Sequence, residues 1–204
     1  MTKYDIKSAR RELYTASDGF EIVDVPELRF LAVDGRGDPN TAPEFAAAGE
    51  ALYSTSYTLK FTSKNELGRD FTVAPLEGLW RAADVGSFTR GDKSSWEWTV
   101  LVAQPDWVTE AEIERAIDTV RSKKNLRSVD EVRSLLLTEG PSVQILHIGS
   151  YDDEGPTLAR LHHEYMPAHG LTFNGDHHEI YLSDPRRTAP ERLRTILRQP
   201  VRPL

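Results

Sequence analysis

The sequence predicts an α+β fold in which one structural unit is used twice. Three observations lead there. Alternating apolar strands follow one another with no helix between them, which indicates antiparallel pairing. Segments that open on proline and carry apolar residues at three- and four-residue spacing indicate amphipathic helices against one face of that sheet. The order strand, helix, strands, helix is read once before residue 125 and again after residue 142.

The early copy opens with LRFLAVDGRGDPNTAPEFAAAGEALY, residues 28–53, and the late copy with VQILHIGSYDDEGPTLARLHHEYM, residues 143–166. Each begins as an alternating strand: Phe30 and Ala32 against Leu31 and Val33, then Ile145 and His147 against Leu146 and Ile148. Each passes through a Gly/Asp-rich loop to a proline and a helical pattern. In the second helix Leu158, Leu161 and Tyr165 form the stripe. Further on, WTVLVAQPDWVTEAEIERAIDTV stands against HEIYLSDPRRTAPERLRTIL, each read as strand, Pro turn and helix. Thr109 with Glu112, and Thr188 with Glu191, form capping boxes at the two helix starts. The stripes are Ile113, Ala116, Ile117 and Val120, and Leu193, Ile196 and Leu197. This alignment pairs Glu179 with Thr99, Ile180 with Val100 and Tyr181 with Leu101.

Two further segments complete the reading. YTLKFTSK and DFTVAPLEGLWRAA alternate like paired strands inserted in the first copy. NLRSVDEVRSLLLTEGP has a third capping box, Ser128 with Glu131, the stripe Val132, Leu135 and Leu136, and a Gly140-Pro141 stop, so a connecting helix is expected near 128–139. One domain of 204 residues results, with modules at about 20–125 and 142–204.

Composition narrows the function. The 25 Lys and Arg are outnumbered by 32 Asp and Glu, for a net charge of -7. A nucleic-acid partner would be repelled on average and none is expected. No apolar run reaches membrane-spanning length, so no membrane partner is expected. MTKYDIKSARREL carries no apolar stretch after its charges and does not read as a secretory signal. The absence of cysteine excludes disulfides, thiolate metal sites and a cysteine nucleophile, and it fits a cytoplasmic location. No metal is expected, because the adjacent His162-His163 and His177-His178 cannot each close on one ion. No cofactor is expected either: GRGDPN lacks the rest of a phosphate fingerprint, and no GxSxG elbow is present.

The stretch HHEIYLSDP, residues 177–185, carries the candidate site. As a strand it sends Ile180 and Leu182 to one face, and His177, Glu179, Tyr181 and Ser183 to the other. The second face is either a solvated sheet surface or the floor of a pocket. A carboxylate beside a phenol, diverging from Thr and Leu in the aligned copy, favours the pocket. Trp80, at the end of PLEGLW, is a candidate aromatic wall. Glu77 precedes a glycine that could mark a bulge, so its face is left open. Tyr53 and Tyr57 are candidates for the cleft rim and Tyr151 for a second phenol, while Trp96 and Trp98 are assigned to the core.

With DIKSARRELY, FLAVDGRGDPN, LYSTSYTLKF, PLEGLW and HEIYLSDPRR in view, nearly the whole chain resembles the GyrI-like small-molecule-binding family, in its stand-alone branch. The resemblance implies a tandem of strand-helix-strand-strand modules about a pseudo-two-fold axis, with antiparallel strands, helices on one face and a ligand cleft between modules. It also implies that Glu179 faces the ligand. Some stand-alone members resemble hydrolases that open the cyclopropane of DNA-alkylating natural products. The expected partner is therefore a flat, mainly apolar small molecule. Two uses follow: hydrolytic detoxification, with Glu179 as base and Tyr181 or Tyr151 at the leaving oxygen, or a receptor without catalysis. A gyrase-interacting role has no residue to support it, and a protein partner is unknown.

Overall fold

A computed structural model describes residues 3–81 and 95–204. Two short N-terminal helices, α1 (Ile6–Ala9) and α2 (Arg11–Tyr14), precede β1 (Glu21–Val25). The first module follows as β2 (Leu28–Arg36), α3 (Pro43–Glu66), β3 (Leu76–Arg81) and β4 (Glu97–Gln104). Helix α4 (Glu110–Lys123) and β5 (Arg133–Leu137) connect it to the second module. That module comprises β6 (Gly140–Ile148), α5 (Gly155–Arg160), β7 (Leu171–Phe173), β8 (His177–Tyr181) and β9 (Arg194–Pro203). Beyond Arg160, α5 continues through a π-turn (Leu161–Tyr165) into a last turn at Met166–Ala168.

The strands form one antiparallel sheet in the order β1-β6-β9-β8-β3-β4-β2-β5, with β7 paired to the far end of β9. The order is symmetric about the β8–β3 seam. Reading outward, β3, β4 and β2 of one module mirror β8, β9 and β6 of the other. The flanking strands are exchanged: β1, which precedes the first module, pairs with β6 of the second, and β5 pairs with β2 of the first. The α+β class and the tandem strand-helix-strand-strand plan are thus as expected.

The correspondence within the doubling needs correction. The partner of β8 across the seam is β3, not β4, and the strand equivalent to β4 is β9. Val100 and Ile180 therefore do not occupy matching positions, and Thr99, on β4, is not the counterpart of Glu179, which faces Gly78 across the seam. The helix expected from Thr188 through Leu197 is a single 3-10 turn, Pro190–Arg192, followed by β9. Both faces of β9 are covered, so Thr195 through Val201 are all buried and the run carries no two-residue alternation to read.

The connecting helix expected near 128–139 is likewise a 3-10 turn, Val129–Glu131, and edge strand β5. Three successive leucines satisfy either period. The sheet edge selects the strand, packing Leu135 and Leu137 on the core and leaving Leu136 exposed. YTLKFTSK errs in the opposite sense, because it is the C-terminal half of α3. Ala48, Ala51, Leu52, Thr55, Ser56, Leu59 and Ser63 are buried at helical spacing there, and that burial overrides the β-propensity of Tyr, Thr and Phe. Thr55 and Thr58 donate their hydroxyls to the carbonyls of Ala51 and Ser54, four residues back. In DFTVAPLEGLWRAA only Leu76–Arg81 is strand, and residues 82–83 lie outside the described residues. Helix α4 starts as expected: the Thr109 N–H donates to Glu112 Oε2 and the Glu112 N–H to Thr109 Oγ1.

The module helices α3 and α5 lie on the same face of the sheet. Phe45 of α3 stacks on Trp80 and meets Trp98 edge-on, while Leu161 and Met166 pack with Val143 and Val201. The Trp98 ring lies directly over Gly35, its register partner on β2, and a Cβ at Gly35 would stand 2.1 Å from the ring. Trp98 is fully buried and has nowhere to go. Gly35→Ala is therefore expected to destabilise the protein by about 1–3 kcal/mol through overpacking, seen as a lowered urea midpoint at unchanged m-value. An unchanged midpoint would show that the ring can shift.

Candidate active site

At the seam the two modules leave a cleft of about 1700 Å³ on the helix-bearing face. Its floor comes from the central strand pair. Trp80 stands opposite His177, and Gly78 opposite Glu179, so Trp80, His177, Glu179 and Tyr181 all point to one side. The face expected for Glu179 is thus the cleft face, and Ile180 packs behind it in the core.

Glu179, His177 and Trp80 are buried, yet each lines the cleft. The Tyr181 hydroxyl donates to Glu179 Oε2 at 2.8 Å, and His177 Nε2 lies 3.6 Å from Glu179 Oε1. Burial, reinforced by the Glu179 carboxylate, pushes the Tyr181 phenol well above its usual pKa. Tyr151 meets Tyr181 edge-on at 5.5 Å. Burial, then the charges of Glu154 and Glu179, raise its phenol to about 12. Both phenols are protonated hydrogen-bond donors near neutral pH.

Gly78 marks no bulge, since β3 runs in regular register with both neighbours. Its role is space. A Cβ there would come within 2.9 Å of Trp80 Nε1 and 3.1 Å of Tyr181 Oη, so glycine lets indole and phenol close over the floor beside Glu179.

Tyr53 and Tyr57 line the cleft from α3, as expected for its rim. Four cleft residues were not anticipated. Phe45 and Phe61 extend the aromatic row along α3, where positions 45, 49, 53, 57 and 61 repeat every fourth residue on one face. Taking YTLKFTSK for a strand concealed that ladder. Trp96, assigned to the core beside Trp98, lines the cleft and meets Trp80 edge-on at 5.6 Å. Glu154, from the loop before α5, is a second buried carboxylate in the cleft wall, and its charge is felt at both Tyr151 and Tyr181. Its position in DDEGP, just ahead of a helix proline, reads as loop chemistry and gave no signal.

Glu77 is not a cleft residue. It pairs with Ile180 and points to the back of the sheet, where α2 covers it. The Tyr14 hydroxyl donates to Glu77 Oε1 at 2.8 Å, and His178 Nε2 lies 3.0 Å from Glu77 Oε2. His178 Nδ1 in turn meets Glu139 Oε1 at 3.0 Å, and Arg198 donates to Glu139 Oε2 at 3.2 Å. This network is fully buried and balances two carboxylates with two cations. The correction follows from strand parity: Glu77 and Gly78 are adjacent, so their faces are opposite.

Among the described residues no group of three or more His, Asp and Glu side chains is placed to hold a metal ion. None of the described helices is long and apolar enough to cross a membrane.

Comparison with known proteins agrees with this fold. An uncharacterized conserved protein from Listeria innocua is 38% identical, with a TM-score of 0.88 over 98% of this chain and 100% of that one. Two hydrolases from Listeria innocua are 36% and 37% identical, with TM-scores of 0.87 and 0.85 over the same shares. No curated protein matches in sequence. Residues 19–202 match the GyrI-like small molecule binding domain, a range that holds the sheet up to all but the last residue of β9 and the whole cleft floor. On that match, and on the modules that close around an aromatic cleft, the chain belongs to the GyrI-like small-molecule-binding family.

Proposed function

We propose that the cleft binds a flat, mainly apolar electrophile and opens its strained three-membered ring by adding water, a detoxification carried out in the cytoplasm. The observation that carries this reading is the Glu179–Tyr181 pair at 2.8 Å on the floor of an aromatic cleft. The similarity to two proteins named as hydrolases, at 36% and 37% identity, supports it. A spirocyclopropyl cyclohexadienone represents the substrate class. The water oxygen bonds to the ring CH₂ as the ring C–C bond breaks. The electron pair of that bond passes through the ring system to the carbonyl oxygen, giving a phenolate, and the water proton goes to Glu179.

Tyr181 is already committed to Glu179 and fixes its carboxylate. Tyr151, also protonated, is the donor for the developing phenolate. The aromatic walls hold the flat rings and exclude bulk water. Ring strain supplies much of the driving force, so base catalysis of roughly 10²–10⁴-fold suffices for a useful enzyme.

The test is incubation of the full chain with a spirocyclopropyl cyclohexadienone, read by mass spectrometry. Addition of one water, with many product molecules per protein, is the expected result. Binding of the dienone without conversion would instead select the receptor reading. The same carboxylate and aromatic rings would then serve a planar cation through charge and cation–π contact.

A further inference from the structure

We infer that His177 is the second polar anchor of the cleft, holding jointly with Glu179 the hydroxyl or water oxygen on which the carboxylate acts. The inference rests on the proposed function for the identity of that oxygen, but its geometric basis stands apart from it.

His177 is 7% exposed and lines the cleft, yet neither of its ring nitrogens has a hydrogen-bond partner among the described residues. Buried polar atoms are nearly always satisfied, and two orphans on one ring facing a cleft call for a partner beyond the described residues, which a bound oxygen would supply. The neighbouring ring does not supply it. His162 has a buried, unpartnered Nε2 of its own, and burial, with the charge of His177, lowers its pKa to about 4. His162 is therefore neutral near neutral pH, and its unpartnered Nε2 makes no hydrogen bond to His177.

Glu179 divides its oxygens in a way that fits. Oε2 is taken by the Tyr181 hydroxyl, and Oε1 faces His177 Nε2 at 3.6 Å. That separation is too long for a good direct hydrogen bond. It is a suitable base for a triangle whose apex oxygen lies about 2.8 Å from each atom. The apex must donate to Oε1, because an ionised carboxylate only accepts. Toward Nε2 it must accept or donate according to the histidine tautomer. A water or an alcohol does both, whereas an ether oxygen cannot donate at all.

For the ring-opening reaction this places the attacking water. Glu179 takes its proton, and His177 fixes the direction of its lone pair toward the strained carbon. The alcohol product then carries the same oxygen in the same place. His177 acts through the water, so its effect belongs in kcat and not in KM.

The experiment uses three full-chain variants. His177→Phe keeps the ring and its packing but removes both nitrogens. His177→Gln returns a polar atom near the Nε2 position, and His177→Asn returns one near Nδ1. With a spirocyclopropyl cyclohexadienone, His177→Phe and His177→Asn are expected to lose about tenfold to hundredfold in kcat at little-changed KM, and His177→Gln to recover most of it. In equilibrium binding, wild type is expected to prefer the ring-opened alcohol over its methyl ether about tenfold, and His177→Phe to keep only part of that preference, the part that comes from donation to Glu179 Oε1. A high-resolution crystal structure of the wild type is expected to place a water or probe oxygen within hydrogen-bonding reach of both Glu179 Oε1 and His177 Nε2.

A His177→Phe enzyme with wild-type kcat overturns the anchor and leaves ring opening intact. An oxygen bound to Glu179 alone, with His177 satisfied by protein groups, overturns it whatever the kinetics. If wild type opens no ring while the oxygen is bridged and the alcohol preference tracks His177, hydrolysis fails and the anchor stands.

Discussion

Glu179→Gln is expected to slow ring opening by about 10²–10⁴-fold while a neutral flat probe still binds within about twofold. Gln keeps the volume of Glu, and its carbonyl oxygen can still accept the Tyr181 hydroxyl that now sits 2.8 Å from Oε2. What it loses is the capacity to take a proton from water. The loss corresponds to roughly 2.7–5.5 kcal/mol of transition-state stabilisation at about 1.36 kcal/mol per tenfold. Steady-state rates and equilibrium binding on this one variant separate the two uses of the cleft. In a receptor, the same change would weaken cationic ligands selectively and leave neutral ones alone. Undiminished hydrolysis would remove Glu179 as the base. The search would then pass to Glu154, the second cleft carboxylate, since Glu77 faces the opposite side of the sheet.

The cleft floor was legible because strand parity is local. Once HHEIY is a strand, His177, Glu179 and Tyr181 must share a face, and the pairing of β8 with β3 then adds Trp80. The back of the same strands was not legible. Nothing local says that Glu77, His178, Glu139 and Arg198, from three strands and a turn, converge behind the seam. Which strand mirrored which was also hidden. LVAQPDW resembles YLSDPRR as a string, but the sheet matches β8 to β3 by hydrogen bonding, and the resemblance lies in the turns. The segments misassigned to helix, Leu193–Leu197 and Val132–Leu136, are short apolar runs that satisfy both periods. Burial on both sides of β9 and the open edge beside β2 made the choice, and both are properties of the assembled sheet.

Removing Glu139 from the network behind the seam is expected to be the most destabilising single change outside the apolar core. Its carboxylate touches His178 at 3.0 Å and Arg198 at 3.2 Å, and all three side chains are buried. Truncating one member of such a group strands the others in low dielectric, at a cost of about 3–5 kcal/mol. That is a large share of the roughly 5–15 kcal/mol that holds a domain folded. Glu139→Ala should lower the urea midpoint accordingly, whereas exchanging an exposed pair such as Arg127 with Glu44 should change it by less than about 1 kcal/mol. The network also sets a pH profile. Despite its burial, the carboxylates of Glu139 and Glu77 raise His178 from 6.5 to about 9. The stability gained by its proton is complete below about pH 6.5 and is lost as pH rises through about 9. Glu139 moves the other way: His178 and Arg198 outweigh its burial and lower it from 4.5 to about 2. Its contribution is complete above about pH 4.5 and is lost as pH falls through about 2. The two shifts describe one ion pair and count once, on the order of 3 kcal/mol. Stability from this network should therefore be greatest between about pH 4.5 and 6.5, and His178→Gln should flatten the alkaline limb between pH 6.5 and 9. An alkaline limb as steep in His178→Gln as in wild type would show that another group carries it, and that His178 is not held as a cation between its two carboxylates.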